Sequence, residues 1–132
     1  VFRRYRTYHG CAMPPHHQLA SIAAWRDEAH VVENRALYRA KFDSVNALLA
    51  PALNTVIPPA GFYLWPNTPI SDTKFARALL EQQNVAVLPG SYLGREVGGQ
   101  NPGSNHVRMA LVATHQETLE AAERIVDFMK RG

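Results

Sequence analysis

The sequence predicts an α+β fold, a small mostly antiparallel sheet with helices packed on one face. Three observations carry that reading. Apolar residues recur at helical spacing in several separate segments, whereas the stretch 106–113 alternates with a period of two. The two kinds of segment also interleave without the regular strand–helix–strand rhythm of a parallel sheet.

Length and composition bound the possibilities. The chain has 132 residues, 46% apolar and 19% charged, which suits one domain with a real core and is too apolar for a disordered tail. No apolar run approaches the roughly 20 residues of a spanning helix, and no secretory signal opens the chain. The expectation is a cytoplasmic protein with no membrane partner. The single cysteine, Cys11, cannot form an internal disulfide and reads as a small, half-buried residue in a reducing compartment. The net charge of +3 traces to Arg3, Arg4 and Arg6, since the other eleven Lys and Arg balance eleven Asp and Glu. A nucleic-acid binder would spread its basic residues along a face, so no such partner is expected. The opening Val1-Phe2-Arg3 has no initiator methionine and reads as a cut inside a longer protein.

The elements follow in order. Tyr5-Arg6-Thr7-Tyr8-His9-Gly10 ends in a glycine turn, and Pro14-Pro15 precedes a helix from His16 with Leu19, Ile22, Ala23 and Trp25 as its apolar positions. A longer helix is predicted from about Val31 to Leu49, where Tyr38, Phe42, Val45, Leu49 and Ala52 step by four, three, four and three. The β-branched Thr55-Val56-Ile57 and the aromatic Phe62-Tyr63-Leu64-Trp65 read as two strands around a Pro-Pro-Ala-Gly turn. Ser71 or Asp72 caps a helix ending near Asn84, and Val85-Ala86-Val87-Leu88 reads as a short buried strand broken by Pro89-Gly90-Ser91. The breaker-rich stretch 98–105 reads as an exposed loop. His106 to Ala113 is the clearest strand, with Val107, Met109, Leu111 and Ala113 inward and His106, Arg108, Ala110 and Val112 outward. Thr114-His115-Gln116-Glu117 is a capping box, and it opens a last helix with Leu119, Ala122, Ile125, Val126 and Met129 on one side.

Few residues offer chemistry. Arg108 sits in mid-strand, and its planar fork of donors fits a carboxylate with two parallel hydrogen bonds. Pro89-Gly90-Ser91 places a glycine and a hydroxyl at a strand end, where backbone can approach a ligand. The six histidines show no metal-site spacing, and there is no phosphate loop or nucleophile elbow. Lys41, Lys74 and Lys130 read as solvated positions on helices.

Three segments, Gly61-Phe62-Tyr63-Leu64-Trp65, Leu88-Pro89-Gly90-Ser91-Tyr92-Leu93-Gly94 and His106-Val107-Arg108-Met109-Ala110-Leu111, resemble in order and spacing the C-terminal part of class I/II aminotransferases. These are fold-type I enzymes that use pyridoxal 5'-phosphate. Tyr5 to Gly10 and Trp25 to Val31 resemble, more narrowly, the N-succinyldiaminopimelate aminotransferase branch. The resemblance implies that residues 1–30 are the last piece of a large cofactor-binding domain and 31–132 the small C-terminal domain. It implies that Arg108 binds the substrate α-carboxylate, that Gly90 and Ser91 begin a mobile segment at the site entrance, and that Tyr8 and His9 reach a neighbouring subunit's site in a homodimer. The implied parent is a transaminase that exchanges an amino group between glutamate and an N-succinylated keto acid, in the formation of lysine and diaminopimelate. The same resemblance leaves an alternative, the ligand-sensing domain of a transcription regulator built on this scaffold. An unrelated α+β binding module is the third reading. None of the three lysines has the family's Schiff-base context, so no catalytic residue is expected in this segment, and the fragment alone is expected neither to bind the cofactor nor to transaminate.

Overall fold

A computed structural model describes residues 1–10 and 12–131. Cys11, expected to be half-buried, lies outside the described residues. Among the described residues five helices and three strands follow one another: α1 (Phe2–Tyr8), α2 (Pro15–Arg26), α3 (Ala29–Leu53), β1 (Tyr63–Leu64), α4 (Asp72–Gln83), β2 (Leu88–Pro89), β3 (Val107–Ala110) and α5 (His115–Arg131), with a 3₁₀ turn at Gly90–Tyr92 after β2. The chain divides into two compact units, Val1–Arg35 and Ala36–Gly132.

In the first unit, α1 and α2 bury no residue. Pro15 opens α2 from a position where its missing N–H costs nothing. The helical spacing of its apolar residues produces a helix but no buried stripe, since Trp25 is 83% exposed and Leu19 and Ile22 are exposed as well. The segment before the expected glycine turn is a short helix, and Gly10 after it has a φ of 118°.

The second unit holds the core. The sheet has strand order β1-β3-β2, all antiparallel, with Leu64 opposite Met109 and Leu88 opposite Arg108. Alternation along the strands sends Leu64, Val107, Met109 and Leu111 to one face. There they meet Phe42, Val45, Leu49 and Leu53 of α3, Phe75 and Leu79 of α4, and Ala122 and Ile125 of α5. The apolar stripe read from Tyr38 onward is thus the stripe that buries α3. Helices α3 and α4 each end on an asparagine in the left-handed region, Asn54 (φ 50°) and Asn84 (φ 53°), the residue other than glycine that adopts it most readily.

The strands are shorter than the sequence suggests. Thr55–Ile57 is not a strand: after α3 the Thr55 hydroxyl donates to Asn46 Oδ1 at 2.7 Å, and no neighbouring strand pairs with this segment. Val85–Val87 also stays outside the ladder, which begins only at Leu88 and includes Pro89. Nor are the two segments buried throughout, since Val56 is 78% exposed and Val85 and Val87 are half-buried; a strand requires a partner's hydrogen bonds, which β-branched composition alone does not supply. Ala113, expected inward, is exposed beyond the end of β3.

Candidate functional site

The alternation that buries Val107 and Met109 turns Arg108 to the sheet face opposite the helices, where it is half-buried. Its guanidinium carbon lies 5.7 Å from the centre of the Tyr63 ring, within range of a cation–π contact. Among the described residues, no carboxylate lies within ion-pair distance of it. Beside it, Trp65 stacks nearly parallel on His106 with ring centres 5.7 Å apart, and His106 Nδ1 is 2.8 Å from the Ser104 carbonyl. An arginine without an acidic partner, on a surface of aromatic rings, presents its whole fork of donors to an incoming anion.

The Pro-Gly-Ser bend closes the same end of the sheet. Gly90 donates its amide to the His106 carbonyl at 2.7 Å, two residues before Arg108. A Cβ at Gly90 would stand 2.3 Å from the Gly103 carbonyl and 2.9 Å from the Trp65 ring, so only glycine lets the two backbones meet. Stretch 98–105, expected as an exposed loop, is therefore partly structural: Gly103 is buried and Asn101 is folded over the bend. Asn101 Nδ2 donates to the Ser91 carbonyl at 2.9 Å, and Asn101 Oδ1 accepts the Gly103 amide at 2.9 Å.

Asp72 secures the arrangement from below. It is 4% exposed and occupies the first position of α4. The cap expected from Ser71 or Asp72 takes another form: Ser71 Oγ lies 2.9 Å from Thr73 Oγ1, while the Asp72 carboxylate reaches out of the helix. It accepts the Ser91 amide at 2.8 Å and the Asn105 amide at 3.4 Å. Burial pushes this carboxyl upward, but hydrogen bonds from the Ser91 side chain and from the Ser91 and Asn105 backbones outweigh it and hold the group below the ordinary aspartate value.

Arg108, Gly90 and Ser91 are thus brought to one end of the sheet. Tyr8 and His9 belong to the first unit: Tyr8 is 79% exposed, and the His9 ring stacks on Tyr5 at 4.4 Å. Sequence reasoning missed Tyr63, Trp65, Asp72, Asn101 and Gly103 as parts of the site. A local signal existed for the glycine alone, in the breaker-rich loop. Lys41, expected to be solvated, is half-buried, with Nζ donating to the Leu111 carbonyl at 3.0 Å and also to that of Ala113. Lys74 is exposed on α4, and Lys130 lies 3.7 Å from Asp127. A groove of about 350 Å³ is lined by Asn54, Val56, Tyr63, Trp65, Asn67 and Met129 among others, and does not include Arg108. Among the described residues, no three metal-ligating side chains gather, and no helix is long and apolar enough to cross a membrane.

The family model described as aminotransferase class I and II matches residues 5–125. The transaminase BacF of Bacillus subtilis is 33% identical over 113 residues, 82% of this chain and 27% of its own length. The crystal structure of an aminotransferase from Neisseria meningitidis superposes with a TM-score of 0.85 at 46% identity, over 97% of this chain and 33% of that one. A probable N-succinyldiaminopimelate aminotransferase from Thermus thermophilus superposes with a TM-score of 0.57 at 35% identity, over 69% of this chain and 23% of that one. The chain spans about a third or less of the length of these relatives.

Proposed function

The chain belongs to the aminotransferase class I and II family, and on that premise we propose that it is the substrate-carboxylate portion of a pyridoxal 5'-phosphate-dependent transaminase. Residues 1–30 are the end of the large domain, and residues 31–132 are the small domain. One observation carries the reading: the fork of Arg108 stands free of any acidic partner among the described residues, on an aromatic surface beside a glycine bend. Every amino-acid substrate brings an α-carboxylate whatever its side chain, and a bidentate grip fixes the α-carbon relative to the reacting atoms. Tyr63 supports the guanidinium from below, and the Gly90 bend holds the strand segment that leads to Arg108 through its bond to the His106 carbonyl.

The described residues do not fit the cofactor itself. The amine of Lys41 is engaged by two carbonyls, Lys130 sits near Asp127, and Lys74 is exposed on a helix. None is free in a cleft beside a carboxylate, so this chain's share of the work is to bind and orient substrate. Tyr8 and His9 belong to the homodimer interface of the whole enzyme. The substrates are glutamate and an N-succinylated keto acid; the likeness to the probable N-succinyldiaminopimelate aminotransferase of Thermus and the segment Trp25–Val31 support the succinylated partner.

In the full-length enzyme, Arg108→Ala and Arg108→Lys should lower kcat/KM by about a hundredfold, the scale of a lost charge-assisted pair of hydrogen bonds. The cofactor absorbance should stay as in the parent. Normal turnover by either variant would overturn the assignment. In the parent, a keto acid without the succinyl group should be a poorer acceptor than its succinylated counterpart; equal kcat/KM for the two removes the substrate reading and leaves the carboxylate reading intact.

A further inference from the structure

We propose that Asp72 is a positioning residue for Arg108, its carboxylate bracketing the open end of the β2–β3 ladder and thereby fixing where the guanidinium meets a substrate. The inference rests on the proposed reading of Arg108. In the ladder, Leu88 pairs with Arg108 and Pro89 with Val107, and Gly90 donates to the His106 carbonyl. Continued in the same register, the next pair would be Ser91 with Asn105. Neither amide bonds across the ladder, since that pair would exchange no hydrogen bonds of its own; both donate to one carboxylate, Ser91 to Asp72 Oδ2 at 2.8 Å and Asn105 to Asp72 Oδ1 at 3.4 Å. Ser91 lies three residues beyond the ladder partner of Arg108, and Asn105 lies three residues before Arg108 itself. The bracket therefore sets the spacing of the two chain segments that flank the guanidinium.

The chemistry of the bracket is specific. An ionised carboxylate has two accepting oxygens and no donor, so it satisfies two converging N–H groups at once. An asparagine offers one acceptor and turns its NH₂ toward the other amide, so one of the two segments is released. The carboxylate is also anchored, because Asp72 begins a helix whose Phe75 and Leu79 are completely buried. Its position at the start of α4 places the charge where the helix dipole favours an anion. The two amides it holds both belong to segments leading to Arg108.

The test uses the full-length pyridoxal-phosphate enzyme and the best amino donor among the standard amino acids, with L-glutamate the one expected. Asp72→Asn and Asp72→Ser should each raise KM for the donor and for the keto-acid acceptor together, by about tenfold, with kcat kept within about threefold. The serine variant keeps a residue that starts helices well, so it decides the matter if the asparagine variant does not fold. A lowered melting temperature with KM unchanged in the folded variants would mean a purely structural role and would overturn the inference. Arg108→Lys in the same assay separates the two ideas. If it is crippled while both Asp72 variants keep their KM, the arginine reading stands and the bracket falls; if it behaves as the parent, the arginine reading falls and takes the bracket with it.

Discussion

At Gly90 a single added methyl group meets two backbones and a ring. Its Cβ would lie 2.3 Å from the Gly103 carbonyl, 2.8 Å from that of His106 and 2.9 Å from Trp65. Two of these neighbours are main chain and cannot swing aside. Gly90→Ala should therefore cost about 1–3 kcal/mol, the range of an overpacked interior site, measured by thermal or urea unfolding of this chain. A change below about 0.5 kcal/mol would show that the bend yields freely. The same residues show what a sequence discloses. Arg108 was legible because one strand's alternation decides its face, a property of its immediate neighbours. Asp72 was not, because an aspartate before a helical stripe ordinarily serves its own helix, whereas here it serves an amide nineteen residues away. Tyr63 and Trp65 read as strand residues, and only pairing with β3 reveals that they share a face with Arg108.

The contrast repeats between elements. Helix α5 begins as the sequence says: the Thr114 amide donates to Glu117 Oε2 at 3.0 Å, and the Glu117 amide donates to Thr114 Oγ1 at 3.3 Å. Capping is written within four residues and can be read there. The strands at Thr55 and Val85 could not be judged this way, because their existence depends on partners far along the chain. Lys41 is a further case, since it reads as a surface lysine of α3 until the end of β3 supplies carbonyls for it. The capping box also makes a pH prediction. The Thr114 hydroxyl, and then its backbone amide, hold the Glu117 carboxyl below its ordinary value. A carboxyl depressed in the folded state stabilises the fold above its unfolded value and loses that contribution as pH falls through the folded one. Wild type should thus melt above Thr114→Ala at neutral pH, and the gap should narrow on acidification through and below the ordinary glutamate range. Asp72 is depressed in both proteins, so the comparison isolates Glu117. A gap that stays constant down to pH 3 would contradict this account.

Across the whole molecule, burial is distributed unevenly between the two units. Every residue of the apolar core, from Phe42 to Ile125, lies in Ala36–Gly132, while α1 and α2 bury nothing. The first unit nevertheless carries Phe2, Tyr5, Tyr8, Leu19, Ile22 and Trp25 on its surface. Free energy from burial accrues in proportion to apolar area removed from water, so the second unit holds the interactions that make unfolding cooperative. A chain trimmed to residues 36–132 should keep one sigmoidal thermal transition and dispersed methyl signals in its proton spectrum. Within it, Leu49→Ala should cost about 2–5 kcal/mol, because Leu49 is fully buried among residues from β3, α4 and α5. Removal of the first seven residues of α3 shortens that helix only ahead of Phe42, its first buried residue, and leaves its contacts with the sheet in place. A trimmed chain that melts gradually, without a cooperative step, would show that the core of the second unit does not suffice and that the apolar residues of the first contribute to its stability.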